Sequence, residues 1–301
     1  MDFHQFSEPD GKYPFHTPCE AADRFQYRLI AQPVGDNIEY TLMTVDTRLQ
    51  QMAADREWLG YPKRIPRPNC DRQENLRDAN RRRAKKIRLY CLEMKVDRLL
   101  TLTCRTVAGR LLTRDQFLEA QDMWRRAMVK KYPDFMYIGV HELQQNGQIH
   151  FHGAIRGFVD INHARVEWQK ALNRVLDLGL SDFVGPNSPG TCHVQTCPPR
   201  LLHMPLEKRQ EIMAAYICKY ISEDPLSFFN KKGYFHSSGV RLRKAVGRWL
   251  RAKTMREAIA EMARLYCLVD ADGIPLWDKV GRGNDFFQRY RVASVALAPP
   301  F

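Results

Sequence analysis

The feature that most restricts this chain is Asn146-Gly147, set between two short runs, Phe135 to Glu142 and Ile149 to Arg156. Asn-Gly between such runs is the strongest short-range signal for a β-hairpin. Side chains alternate across a strand, so His150 and His152 share one face and Phe151 takes the other. Turn length decides what stands beside the imidazoles. A two-residue turn at Asn146-Gly147 pairs Leu143 with His150 and His141 with His152, leaving Glu142 on the opposite face. A three-residue loop, Gln145-Asn146-Gly147 with the glycine left-handed, pairs Glu142 with His150. The second register is the expected one. It gathers two histidines and a carboxylate with open positions, a set suited to Mn2+ or Mg2+ acting on a phosphate. Alone, a His-x-His pair is as easily a chance pair on a half-exposed strand; a second group further along the chain gives it weight.

That second group is Tyr216-Ile217-Cys218-Lys219-Tyr220, in a segment read as a helix from about Leu206 to Ser222. Residues three and four apart share a helix face, so Tyr216, Lys219 and Tyr220 project together. Two tyrosines at this spacing are most often core packing with hydroxyls at the edge. The lysine alters that reading, because a cation beside a phenol favours its ionised form and stabilises charge developing on a phosphate.

The chain has 301 residues, enough for one large domain or a core with an added module. Lys plus Arg number 47 against 34 Asp plus Glu, a net charge of +13. Such an excess points to a polyanionic partner, most simply nucleic acid. Eight cysteines without a repeating spacing, and an amino terminus lacking a basic-then-apolar signal, are the pattern of free thiols in a reducing compartment. Cys192, His193, Cys197 and His203 fit no common zinc spacing. There is no apolar run long enough to span a membrane.

Three regions are expected: an amino-terminal arm over 1–71, a core over 72–240 and a basic carboxy-terminal extension over 241–301. The arm is dotted with proline and holds one strand pair near Tyr27 to Ala31 and Ile38 to Val45. From Arg72 to about Leu92 runs a basic helix, in which six of the eight residues from Arg81 to Arg88 are basic. Leu76, Ala79, Arg83, Ile87, Tyr90 and Cys91 fall near helical spacing, so one face packs while the other stays charged. Arg81, Arg82, Arg83, Lys85 and Lys86 are candidate DNA-backbone contacts, although a charge run is often only a solvated face. Leu99 to Arg105 is a strand, Thr113 caps a helix over Arg114 to Lys131, and Asp160 or Asn162 caps another running to Leu178. Gly185 to Gly190 is a loop and Thr191 to Thr196 a strand. The order strand, helix, two hairpin strands, helix, strand, helix implies an α+β fold: a central antiparallel sheet with helices on its faces, in a split βαβ arrangement. Lys231 and Lys232, among the aromatics from Phe228 to Phe235, suit stacking and phosphate contact with single-stranded DNA. Arg241, Arg243, Lys244, Arg248 and Arg251 continue the basic surface, and the chain beyond Gly273 carries no recognisable motif.

Leu100-Thr101-Leu102-Thr103, then Glu142 with His150-Phe151-His152, then Tyr216-x-x-Lys219-Tyr220 together resemble the HUH endonucleases that initiate rolling-circle replication. The likeness is to the two-tyrosine type of single-stranded-DNA phages and related plasmids, and covers roughly residues 80 to 240. It implies that His150, His152 and Glu142 hold a divalent metal, Mn2+ or Mg2+. It also implies that Tyr216 is the first nucleophile, Lys219 assists and Tyr220 acts second. The DNA would be nicked through a 5′-phosphotyrosine and later rejoined, without ATP. The family often repeats a lysine three residues after the second tyrosine; here that residue is Glu223. No phosphate-binding loop of the helicase type is present, so the resemblance implies recruitment of a host helicase and polymerase in the cytoplasm of a bacterial cell. The substrate would be single-stranded DNA or an extruded origin hairpin. A relaxase or single-strand transposase of the same superfamily has the same residues. A non-catalytic nucleic-acid binding protein, or a metal-dependent hydrolase using water, accounts for parts of the pattern.

Overall fold

A computed structural model describes residues 25–46, 72–106, 111–144, 146–178, 188–197, 199–221, 233–280 and 287–293. In chain order the strands and helices begin with β1 (Phe25–Val34), β2 (Asn37–Asp46), α1 (Arg72–Glu93), β3 (Arg98–Cys104) and α2 (Arg114–Lys131). The hairpin β4 (Met136–Leu143) and β5 (Ile149–Arg156) is followed by α3 (Ile161–Leu176), β6 (Gly190–Thr196), α4 (Leu206–Cys218) and β7 (Phe235–His236). Last come β8 (Val246–Leu250), α5 (Met255–Leu265), β9 (Asp278–Lys279) and β10 (Phe287–Ala293). They form two antiparallel five-stranded sheets, each in its own compact unit. This is the α+β class expected of the sequence.

The unit over Asn69–Leu242 has the strand order β6-β3-β5-β4-β7. The hairpin strand β5 lies between β3 and β4, which is the split βαβ arrangement. Helices α2 and α3 cover one face. Phe117, Trp124, Trp168 and Phe151 are fully buried there with Leu100 and Leu102, each contributing about 1.5–3 kcal/mol of burial. Local signals start these helices where the sequence places them. Thr113 and Gln116 form a reciprocal capping box, and the Asp160 carboxylate accepts from the Asn162 N–H at 2.8 Å. Helix α3 stops at Leu176, two residues short of the expected end, because Asp177 turns left-handed at φ 50°.

The other face of this sheet is covered by α1 and α4. Ile87, Tyr90, Cys91 and Met94 of the first helix and its exit meet Met213, Ala214 and Ile217 of the second over Ile138, Val140 and Ala154 of the hairpin. The Arg88 guanidinium donates to Glu211 at 2.7 Å across the two helices. Packing of this face turns Arg81, Arg82, Lys85 and Lys86 outward.

Residues 25–46, read from sequence as part of an arm, pair with strands from the far end of the chain. The order β8-β1-β2-β10-β9 makes the second sheet, with α5 packed on one face through Met255, Ala258 and Met262. Pairings between residues more than two hundred positions apart leave no local signal, so neither flank discloses the other. Among the described residues all six cysteines are free thiols, and no helix is long and apolar enough to cross a membrane.

Candidate metal centre and tyrosine pair

The hairpin takes the three-residue loop. Glu142 pairs with His150 and His141 with Phe151. The Gly147 N–H donates to the Gln144 carbonyl at 2.9 Å, and Gly147 adopts φ 81°, a conformation that glycine alone takes at no cost. The phase of β5 is also locked from the core side. Gly139 and Gly153 face one another across β4 and β5, and the Phe151 ring lies over both: a Cβ on either would come within 2.5 or 2.7 Å of it. With Phe151 seated on the glycine pair, His150 and His152 must face α1 and α4.

On that face Glu142, His150 and His152 offer ligand atoms that all lie within 4.8 Å of one another, the one such group of three among the described residues. The His152 Nε2–H donates to Glu142 Oε2 at 3.0 Å. Gln144, which sequence reading passed over, bonds His150 Nδ1 at 3.2 Å. Its amide oxygen can instead accept from Nδ1–H, leaving Nε2 a bare lone pair. The signal for Gln144 is strand alternation: it stands two residues after Glu142 on the same face. Burial lowers the His150 pKa, helped by the charge of His152 and opposed by Glu142. Burial lowers that of His152 too, against the hydrogen bond from Glu142. Both rings are therefore held in the neutral form that a cation needs. Two neutral imidazoles, a carboxylate and a three-ligand cluster fit a divalent ion with open positions.

The tyrosines reach this cluster from the end of α4. Ile217 is fully buried against the hairpin, so its neighbours Tyr216 and Cys218 flank the contact. The α-helix ends at Cys218, earlier than the expected Ser222, and the next turn tightens. The N–H groups of Lys219, Tyr220 and Ile221 each donate to the carbonyl three residues back. This turn brings the Tyr220 ring onto His152, with centroids 3.5 Å apart and planes within 5°. The Tyr220 hydroxyl donates to the Tyr216 hydroxyl at 3.0 Å. That bond first, with burial and the charges of Tyr216 and Glu142 behind it, pushes the Tyr220 pKa up to about 12. Lys219 is exposed, with Nζ 5.9 Å from the centre of the Tyr216 ring.

The candidate DNA contacts divide. Arg81, Arg82, Lys85 and Lys86 are exposed on α1. Arg83 turns inward instead: it is 8% exposed, donates to Asn80 at 3.0 Å, and its guanidinium lies against Gly233. Its place with Ile87 and Tyr90 on the packed stripe of the helix accounts for this. Lys231, Lys232 and Glu223 lie outside the described residues. Cys192 is buried while His193 and His203 are exposed, and these three with Cys197 form no ligand cluster.

No curated protein and no solved structure gives a match to this chain. Residues 97–225, less than half of the chain, match the family described as Replication-associated protein, of the ORF2 and gene 2 protein type. The matched stretch runs from β3 through both tyrosines, and the likeness supports a replication-initiator role for the unit that carries the site.

Proposed function

We propose that the chain is a metal-dependent, site-specific single-strand DNA endonuclease and strand transferase that starts rolling-circle replication of a phage or plasmid. The observation that carries this reading is the meeting of the two constellations: Tyr220 stacks on a histidine of the triad and hydrogen-bonds the second tyrosine. The chemistry supplied by Mn2+ or Mg2+ bound to Glu142, His150 and His152 is Lewis-acid polarisation of a phosphate oxygen.

Tyr216 is the first nucleophile. The Tyr220 O–H points at its oxygen, so a phenolate at Tyr216 keeps a donor, whereas one at Tyr220 would forfeit the bond it makes. Tyr216 Oη bonds to phosphorus as the bond to the 3′ oxygen breaks. The 5′-phosphate stays on the protein, and the departing 3′ oxygen takes a proton to become a hydroxyl that primes synthesis. Lys219, on the outer side of Tyr216, offers positive charge to the incoming strand. Tyr220 then serves the second cleavage at the regenerated site, and the released 3′-hydroxyl attacks the first phosphotyrosine to close a circle. The basic face of α1, with Arg81, Arg82, Lys85 and Lys86, holds the DNA backbone through phosphate contacts. Host helicase and polymerase extend the product.

The ends of the cut strand test the reading. With single-stranded origin DNA and Mn2+, the proposal expects a 3′ end that a polymerase extends and a 5′ end that carries protein. A free 5′-phosphate on every product would replace the tyrosine with activated water. Tight binding without any cut would leave a DNA-binding protein.

A further inference from the structure

We propose a second single-stranded DNA site, on the open face of the sheet that joins the two ends of the chain. One face of this sheet packs on α5 through Leu29, Tyr40 and Leu42. Alternation puts the intervening residues on the other face. The strand registers align Trp249, Arg28, Met43 and Phe287 in one row across β8, β1, β2 and β10. Four strands in register span on the order of 14 Å.

The row has the make-up of a stacking platform. The Arg28 guanidinium lies 5.4 Å over the Trp249 ring, and both Arg28 and Phe287 are exposed. Room for the guanidinium comes from Gly247, where a Cβ would meet Arg28 Nη2 at 2.9 Å. The charges fall in order along the strands. The next row aligns Gly247, Ile30, Thr41 and Arg289, and the one beyond aligns Gln32, Glu39, Arg291 and Asp278. The acids are thus confined to the third row, where Arg291 donates to Glu39 at 2.7 Å. The first two rows carry Arg28 and Arg289 and no acid. Aromatic rings with cations and no competing carboxylate suit bases that stack and phosphates that need neutralising. A double helix hides its base faces, so the occupant is single-stranded DNA. This site does not depend on the nicking chemistry, since it uses none of the triad or tyrosine residues.

The test uses the full chain in EDTA, with a fluorescent single-stranded oligonucleotide followed by anisotropy at several salt concentrations. Trp249→Ala is expected to weaken binding roughly 10-fold and Trp249→Phe much less. Arg28→Gln should reduce the salt slope by about 0.7, the loss of one phosphate contact on a single strand. Cross-linking with iododeoxyuridine should label the peptides that contain Trp249 or Phe287. Nicking of a short oligonucleotide, where it occurs, should be unchanged by these variants. Trp249→Ala and Arg28→Gln proteins that melt like the parent and bind with unchanged affinity would overturn the site; Phe287→Ala and Arg28→Gln decide the case if Trp249→Ala does not fold. Labels confined to residues 69–242, or tighter binding of the matching RNA, would also overturn it.

Discussion

The Tyr220 ring lies parallel to His152 at 3.5 Å while its hydroxyl donates to Tyr216. One side chain thus joins the candidate metal ligand to the candidate nucleophile. The ring and the hydroxyl have separable jobs. Tyr220→Phe keeps the ring on His152, so Mn2+ affinity by calorimetry should stay within about 2-fold. Tyr220→Ala removes it and should weaken binding roughly 10-fold, the lower range for a residue that orients a ligand. Equal effects of the two changes would mean that the stack does not position the histidine.

Loss of a triad member should be more severe. His150→Ala and His152→Ala are each expected to lower Mn2+ affinity by at least about 100-fold, roughly 2.7 kcal/mol. Gln144→Ala should cost about 10-fold through His150. Calorimetry and manganese electron paramagnetic resonance measure both. A Gln144 effect as large as that of His150 would make the glutamine a ligand itself.

Acid should weaken the fold through His141. Burial first, with Arg114 adding to it, pushes the His141 pKa down to about 3, while its Nε2–H donates to Gln121 at 2.7 Å. Between that value and the unfolded value of ~6.5 the unfolded chain binds the extra proton. Stability therefore rises with pH through this window, is fully present above it and is lost as pH falls. The slope from this group is at most about 1.4 kcal/mol per pH unit. Urea titrations between pH 5 and 6.5 should show it, and His141→Gln should flatten it. His150 and His152 are depressed in the same direction, so Mn2+ binding should persist to a pH lower than ordinary histidines allow.

The glycine pair behind the histidines is a packing requirement. At Gly153 a Cβ would meet the Phe151 ring at 2.7 Å and the Ile138 carbonyl at 2.9 Å. Gly153→Ala should destabilise by roughly 1–3 kcal/mol. Gly239 has nothing within 4 Å of its Cβ position, so Gly239→Ala should stay within about 0.5 kcal/mol. Thermal melts of the two variants make the comparison, and similar melting points would remove the lock from the account of how β5 is phased.

The hairpin register was legible in the sequence because one local feature, a left-handed Gly147 in a three-residue loop, determines it. The caps at Thr113 and Asp160 were legible for the same reason. What the sequence concealed depends on distant packing. Trp168, fully buried with its indole donating to the Thr103 carbonyl at 2.8 Å, lay outside the apolar stripe drawn through Val166, Leu172, Val175 and Leu176. The tight turn after Cys218 has no signature in Lys219-Tyr220 but decides that Tyr220, rather than Tyr216, lies on His152. Arg83 reads as one more surface cation until Gly233 is placed beside it. The second sheet depends wholly on partners from opposite ends of the chain, so its joining of the two flanks was hidden while the β1 and β2 pair was visible.

The central claim is that a tyrosine of this pair becomes joined to DNA. It is tested most directly on a denaturing gel of the protein mixed with single-stranded circular DNA and Mn2+, with the parent beside Tyr216→Phe, Tyr220→Phe and the double change. The account predicts a covalent protein-DNA band that is lost with EDTA, lost in Tyr216→Phe on first cleavage, retained in Tyr220→Phe and absent from the double variant. Cleavage that survives the double change, with no band in any lane, would contradict it.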